Sequence, residues 1–165
     1  MSVFRAEWTT AARAKGTVRY MQHRPDREGH RGHRELFGAD GALEKIDAYE
    51  LLDAAPRGAV PYKLVVAPSD AEDRGHDLDM RDLARETIEA ISRQMGQPIR
   101  WAGSLHEDHS AHRHVHAVAV LPRKLNPQDL TAIREATSAE ALAQRSIRDQ
   151  VRHQTPSFGL ERGIE

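Results

Sequence analysis

Five of the chain's ten histidines fall in one run, His106-Glu107-Asp108-His109-Ser110-Ala111-His112-Arg113-His114-Val115-His116. Neutral imidazole nitrogen is a good ligand for first-row divalent ions. Side chains alternate faces along a β-strand, so an extended stretch here puts His112, His114 and His116 on one face and Arg113 and Val115 on the other. Like-facing neighbours stand roughly 6.6 Å apart, which lets two imidazoles converge on one ion. Three such ligands leave coordination positions open for substrate or water, and being neutral they leave the ion its full charge. An ion of that kind polarises a phosphodiester and stabilises charge developing on its non-bridging oxygens. The plainer alternative is a solvated, histidine-rich loop. The apolar continuation Ala117-Val118-Ala119-Val120-Leu121 argues against it, because it carries the same period into a core strand.

Phosphodiester chemistry needs a nucleophile, either water activated at the ion or a protein side chain. Of the three tyrosines, Tyr49 and Tyr62 fall in packing positions and Tyr20 does not. A phenol, with a reference pKa of about 10, needs a nearby cation or base to ionise at neutral pH. On a helix, the neighbours of Tyr20 are Arg13, Thr17 and Arg24, so two guanidinium groups flank it. That arrangement suits a phosphate; a partly exposed packing tyrosine is the alternative. Arg19 lies in the same segment, and the polar loop Pro25 to Arg34 adds Arg27, Arg31 and Arg34, with His30 and His33. This loop is expected either to order on a polyanion or to be a solvated connector. Arg13, Arg19, Arg24, Arg27, Arg31 and Arg34 are therefore the candidate phosphate contacts.

These groups need elements to position them. Residues 99–106 and 113–121 read as two strands joined by the polar stretch 107–112, a hairpin that brings His106 beside His114 and His116. Residues 1–7 alternate weakly and could open a sheet. Thr9 or Thr10 caps a helix to about Arg24, with Ala11, Ala14, Val18 and Met21 as its apolar face. Leu36-Phe37-Gly38 packs the loop back onto the body. Residues 40–54 read as an amphipathic helix, 60–67 as a strand and 70–77 as an acidic loop. Asp77 or Asp79 caps the clearest helix, with Leu83, Ile88, Ile91 and Met95 on its apolar face and Gly96 and Pro98 as its stop. Asn126 or Pro127 starts a last helix through about Val151. The expected class is α+β: an antiparallel sheet of about four to five strands carrying the histidines, with helices packed on one face.

At 165 residues the chain fits one domain, taken as 1–152, followed by a flexible tail over 153–165. The absence of cysteine excludes disulfides, thiolate metal sites and cysteine nucleophiles. No apolar run approaches the roughly 18 residues of a membrane helix, and no signal-peptide core opens the chain, so the cytoplasm is the expected address. The net charge of −1 hides an asymmetry: residues 1–34 carry eight Lys/Arg against three Asp/Glu, and residues 35–89 six against fourteen. One phosphate-facing surface on a nearly neutral protein is compatible with that pattern.

The spacing His106-x7-His114-x-His116, with Val115 between the last pair, resembles the HUH motif of HUH endonucleases. His106 and Asp108 are similar to the third motif of conjugative relaxases of the MobA type. Tyr20 within Thr17-Val18-Arg19-Tyr20-Met21-Gln22-His23-Arg24 resembles their first motif, and Leu64-Val65-Val66-Ala67-Pro68-Ser69 is a looser match to the region between. No tyrosine follows His116. Tyrosine before the histidine pair is the relaxase order, whereas in rolling-circle initiators and HUH transposases it comes after. The resemblance spans roughly residues 9 to 121. Arg113 departs from it, standing where many relaxases have proline. His109 and His112 crowd the motif, and His112, in phase with His114 and His116, could replace a ligand. No helicase or primase domain follows, which fits a minimal relaxase or an excised domain.

The resemblance implies site- and strand-specific nicking and rejoining of single-stranded DNA through a 5′-phosphotyrosyl link, as in plasmid mobilisation or conjugative transfer. Tyr20 would be the nucleophile and His106, His114 and His116 the ligands of a divalent ion. Mg²⁺ or Mn²⁺ is expected, with Zn²⁺, Co²⁺ or Ni²⁺ also accepted by all-nitrogen ligation. Asp108 would fix a ligand imidazole or act as base near the phenol; a turn-forming role is its alternative. The partner would be single-stranded DNA bearing an origin-of-transfer-like site, and accessory relaxosome proteins would be further partners. Two rivals use the same residues: a tyrosine-independent metal phosphodiesterase, and a degenerate relaxase-like module that only binds DNA.

Overall fold

The computed structural model describes residues 1–25, 28–30, 32–107 and 112–154. The strand on which the rest is registered is the histidine-bearing one, Val-rich and apolar in both parities. In chain order the elements are β1 (Val3–Trp8), α1 (Ala11–His23), β2 (Leu36–Gly38), β3 (Gly41–Leu43) and α2 (Lys45–Asp53). They continue with β4 (Val60–Ala67), α3 (Met80–Met95), β5 (Arg100–His106), β6 (His114–Leu121) and α4 (Pro127–Gln154). The six strands form one antiparallel sheet in the order β1-β4-β6-β5-β2-β3, so the fold is α+β and β6 lies inside it. No helix among the described residues is long and apolar enough to cross a membrane.

Helices cover both faces of the sheet, not one. Val115, Ala117, Ala119 and Leu121 of β6 enter the core shared with α3 and α4. Val118 enters a second core built by Ala14, Val18 and Met21 of α1 and by Ala48, Leu51 and Leu52 of α2. A strand apolar in both parities must be covered on both sides, and the expectation of helices on one face overlooked this. Ala14, Val18 and Met21 of the small-residue face of α1 are fully buried and Ala11 partly so, and the helix is capped by Thr10, whose hydroxyl accepts from the Arg13 N–H.

The stretch 40–54 is not one helix. Residues 36–43 form a tight hairpin in which Gly38 faces Gly41, leaving Ala39 and Asp40 as the turn. Gly41 sits at φ 125°, a conformation that L side chains rarely adopt. A helix therefore cannot run through it, and α2 starts only after Glu44, whose backbone and side chain form a capping box with Asp47. The hairpin joins the sheet through Phe37, which pairs with Gly103 and meets Trp101 edge-on at 5.5 Å. A Cβ at Gly103 would come within 3.2 Å of the His116 carbonyl and 3.1 Å of the Trp101 ring.

Helices α3 and α4 end and begin where their capping residues predict. Asp79 accepts from the Asp82 N–H, and Gly96 closes α3 in the left-handed region. Asn126 and Asp129 cap α4 by reciprocal hydrogen bonds of 2.8 and 2.9 Å. The helix extends to Gln154, slightly past the expected domain end at 152, and the rest of the tail, residues 155–165, lies outside the described residues.

Candidate metal centre

The register of the β5–β6 hairpin sets His106 opposite His114 and Ser104 opposite His116. Because faces alternate along each strand, His106, His114 and His116 all project toward α1, away from the Val115 side. Their ring centroids lie 4.7 to 5.3 Å apart, and one ligand nitrogen from each falls within 4.8 Å of the others. Among the described residues this is the group of three or more His, Asp or Glu side chains that could hold a metal ion.

The protonation pattern favours ligation. His114 Nδ1 stands 3.1 Å from the His112 carbonyl, which can only accept, so Nδ1 carries the proton and Nε2 offers its lone pair. That Nε2 lies 3.2 Å from Nε2 of His116. His106 is 1% exposed, and neither ring nitrogen has a hydrogen-bond partner among the described residues. A buried polar group left without a partner costs about 1–3 kcal/mol. A metal ion is the partner this donor set fits.

Burial, reinforced by His116, Arg34, His114 and Arg24, lowers the His106 pKa to about 3. Burial, followed by His114 and Arg24, lowers that of His116 to about 4. Both imidazoles are therefore neutral at physiological pH, as ligation requires.

His112 does not join the group, contrary to its phase in the sequence. It precedes β6, and its Nδ1 lies 2.5 Å from Asp70 Oδ1 at the surface. His109 and Asp108 lie outside the described residues, as do Arg27 and Arg31 among the arginines.

Tyr20, in the last turn of α1, is half-exposed and lines a cavity of about 520 Å³ together with Thr17, Arg5, Lys63, Val65 and His116. A second cavity, of about 600 Å³, shares Arg5, Val65 and His116 and continues past His114 to Asp70 and His112. The early phenol and the late histidines thus face one groove on the α1 side of the sheet. The Arg24 guanidinium carbon sits 5.5 Å from the Tyr20 ring centroid, and Arg34 donates to the Arg24 carbonyl at 2.8 Å. Both arginines act electrostatically on His106, so they belong to the site's surroundings. Arg13 and Arg19 are exposed on α1, outside the lining of either cavity.

Two further groups escape a reading of the sequence. Arg113, the residue just before His114, is buried on the far side of β6 from the ligands. There it is clamped by both Asp73 oxygens, at 2.9 and 2.7 Å, and by the Leu78 carbonyl at 2.9 Å. It also reaches Glu107, at the other end of the hairpin loop, at 3.1 Å. The clamp fixes the start of β6, and with it His114, to the segment after β4. The second group is Arg5, brought into the groove by strand pairing alone.

The chain matches no protein-family model, no curated protein and no solved structure.

Proposed function

We propose that the protein nicks and rejoins single-stranded DNA at a specific site, using Tyr20 as nucleophile beside a divalent metal site made by His106, His114 and His116. The activity would be that of a relaxase in plasmid mobilisation or conjugative transfer. One observation carries the reading: Tyr20 and His116, nearly a hundred positions apart in the chain, line the same cavity. A metal phosphodiesterase without a protein nucleophile needs no phenol there.

A divalent ion bound by the three imidazoles would supply Lewis-acid polarisation of the phosphodiester and offset charge on its non-bridging oxygens. The protein's own groups do the rest. Arg24, stacked over the Tyr20 ring, supports a phosphate arriving at the phenol through a guanidinium's preference for phosphate oxygens. The Tyr20 oxygen, having lost its proton, attacks phosphorus. A new tyrosyl O–P bond forms as the P–O3′ bond breaks, and the departing 3′ oxygen takes up a proton. The DNA strand is then divided into a free 3′-hydroxyl end and a 5′-phosphate ester of Tyr20. Bond number is conserved, so the 3′-hydroxyl can attack the tyrosyl phosphate and reseal the strand without ATP. Asp108, two residues past His106, is the proposed acceptor for the phenol proton, a role that rests on its place in the sequence.

The test is incubation of metal-loaded protein with single-stranded oligonucleotides from the genomic region around its coding sequence. A covalent protein–DNA adduct is expected on denaturing gels, and none with Tyr20→Phe. Nicking that survives Tyr20→Phe, with no adduct at any stage, would sink the proposal in favour of direct hydrolysis.

A further inference from the structure

Strand β1 contributes nothing to the metal site, yet it forms one wall of the groove. Its residues alternate: Phe4 is buried in the core shared with α3 and α4, and Arg5 points to the other side, toward solvent. The register carries Arg5 into line with the ligands. Arg5 pairs with Val65, Val65 with His116, and His116 with Ser104, so all four lie in one row across the sheet. Arg5, Val65 and His116 also line both cavities, which makes Arg5 the basic residue at their junction.

Its charge is uncommitted. Lys63, the neighbouring base on β4, is paired with Glu7 at 3.4 Å. Outside the strand ladder that pairs its backbone with Val65, the Arg5 side chain has no hydrogen bond or ion pair among the described residues. A guanidinium held on a rigid strand without a carboxylate is suited to a bidentate contact with a phosphate group. Two strand steps of about 4.8 Å separate the backbone of Arg5 from that of His116. That offset places Arg5 beside the reacting position and not at it.

We infer that the DNA strand leaves the metal site across β4 and β1, with Arg5 gripping a phosphodiester that flanks the reacting one. This rests on the nicking reading. It adds to it a direction for the strand and a phosphate contact on the opposite side of the groove from the basic N-terminal helix. Arg5 is here a positioning residue: it holds the strand in register over the site and touches neither the ion nor the phenol.

The test uses the Mn²⁺-loaded 165-residue chain carrying Tyr20→Phe, so that the strand stays whole, and a fluorescein-labelled oligothymidylate read by anisotropy over a salt series. Arg5→Gln is expected to weaken binding several-fold at low salt and to reduce the slope of log K against log salt by about 0.7, the loss of one phosphate contact on a single strand. Arg5→Lys should restore the slope and only part of the affinity, since an ammonium cannot make the bidentate contact. Arg100→Gln removes the same charge from the opposite end of β5 and should change neither quantity. Equal effects of Arg5→Gln and Arg100→Gln, or no effect of Arg5→Gln, would overturn the inference.

Adduct formation by the unsubstituted protein separates the two layers of argument. If no adduct forms but the slope change remains confined to Arg5, nicking is wrong and only the phosphate contact at Arg5 stands. If the adduct forms while Arg5→Gln binds like the parent, the strand path alone is wrong.

Discussion

Asp73→Ala removes the carboxylate on which Arg113 is clamped, and its cost follows from how little water can take its place. The side chains are 9% and 6% exposed for Arg113 and Asp73. Breaking one half of a buried ion pair costs about 3–5 kcal/mol, because the surviving charge keeps its burial and loses its partner. Two features moderate the loss: the Leu78 carbonyl and Glu107 still hold the guanidinium, and a cavity of about 230 Å³ against Arg113 gives water a way in. The expected cost is therefore the low end, about 3 kcal/mol. In a domain of this size that is a fall in Tm of about 6–12 °C, read by circular dichroism of the metal-free protein.

Glu107 also pairs with Arg113 but is 53% exposed, so Glu107→Gln should cost less than about 1 kcal/mol. Asp73→Leu combined with Arg113→Met removes both charges together and should recover most of the loss. Equal costs for Asp73→Ala and Glu107→Gln, or a double variant no more stable than the single one, would show that burial of the pair does not set the cost.

Two other outcomes follow from the metal centre. His106→Leu removes two unpartnered buried nitrogens, so the metal-free variant should be about 1 kcal/mol more stable than the parent. It should also lose the thermal shift given by Mn²⁺ or Zn²⁺, worth about 2.7 kcal/mol in the parent at a hundredfold excess over Kd. Scanning calorimetry with and without the ion checks both, and a less stable variant that still gains from metal would contradict them. The second outcome concerns pH. With folded-state pKa values of about 3 and about 4, His106 and His116 stay neutral where the unfolded chain, with imidazoles near the reference value of about 6.5, takes up protons. Metal-free stability is thus full above about pH 6.5 and falls as pH drops toward the folded values, by up to about 1.4 kcal/mol per pH unit per imidazole. Urea midpoints at pH 7 and pH 5 measure it; an unchanged midpoint would show that the histidines are not buried as described.

What the sequence made legible was whatever depends on local period. The alternation from His112 to Leu121 placed His114 and His116 on one face, and a polar loop after His106 implied the hairpin that brings all three together. The helical stripe through Ala14, Val18 and Met21 turned one side of α1 inward and left Tyr20 on the open side. Local period failed where distant pairing decides. Asp73 and Arg113 are 40 residues apart, and nothing near either one signals the other. The groove position of Arg5 needs the registers of β1 on β4 and of β4 on β6. The β2–β3 hairpin was hidden for a different reason: its strands are three residues each, too short for period two to stand out against the acidic helix that follows. The second helical layer was legible in principle, from apolar residues in both parities of β6, but the histidines at the start of that strand obscured the pattern.

The arrangement at the centre of the account is an ion on His106, His114 and His116 beside the phenol of Tyr20. The chain has only three tyrosines, so protein labelled with ¹³C in its tyrosine rings gives three resolvable environments. Tyr62 points into the core on the other face of the sheet, and Tyr49 lies on α2. Titrating Mn²⁺ into this protein and following paramagnetic broadening tests the geometry without DNA and without turnover. The Tyr20 ring signal should broaden first and disappear at about one equivalent, and His114→Ala should abolish the effect. A Tyr20 signal that stays sharp while Tyr49 or Tyr62 broadens would place the ion elsewhere and contradict the account.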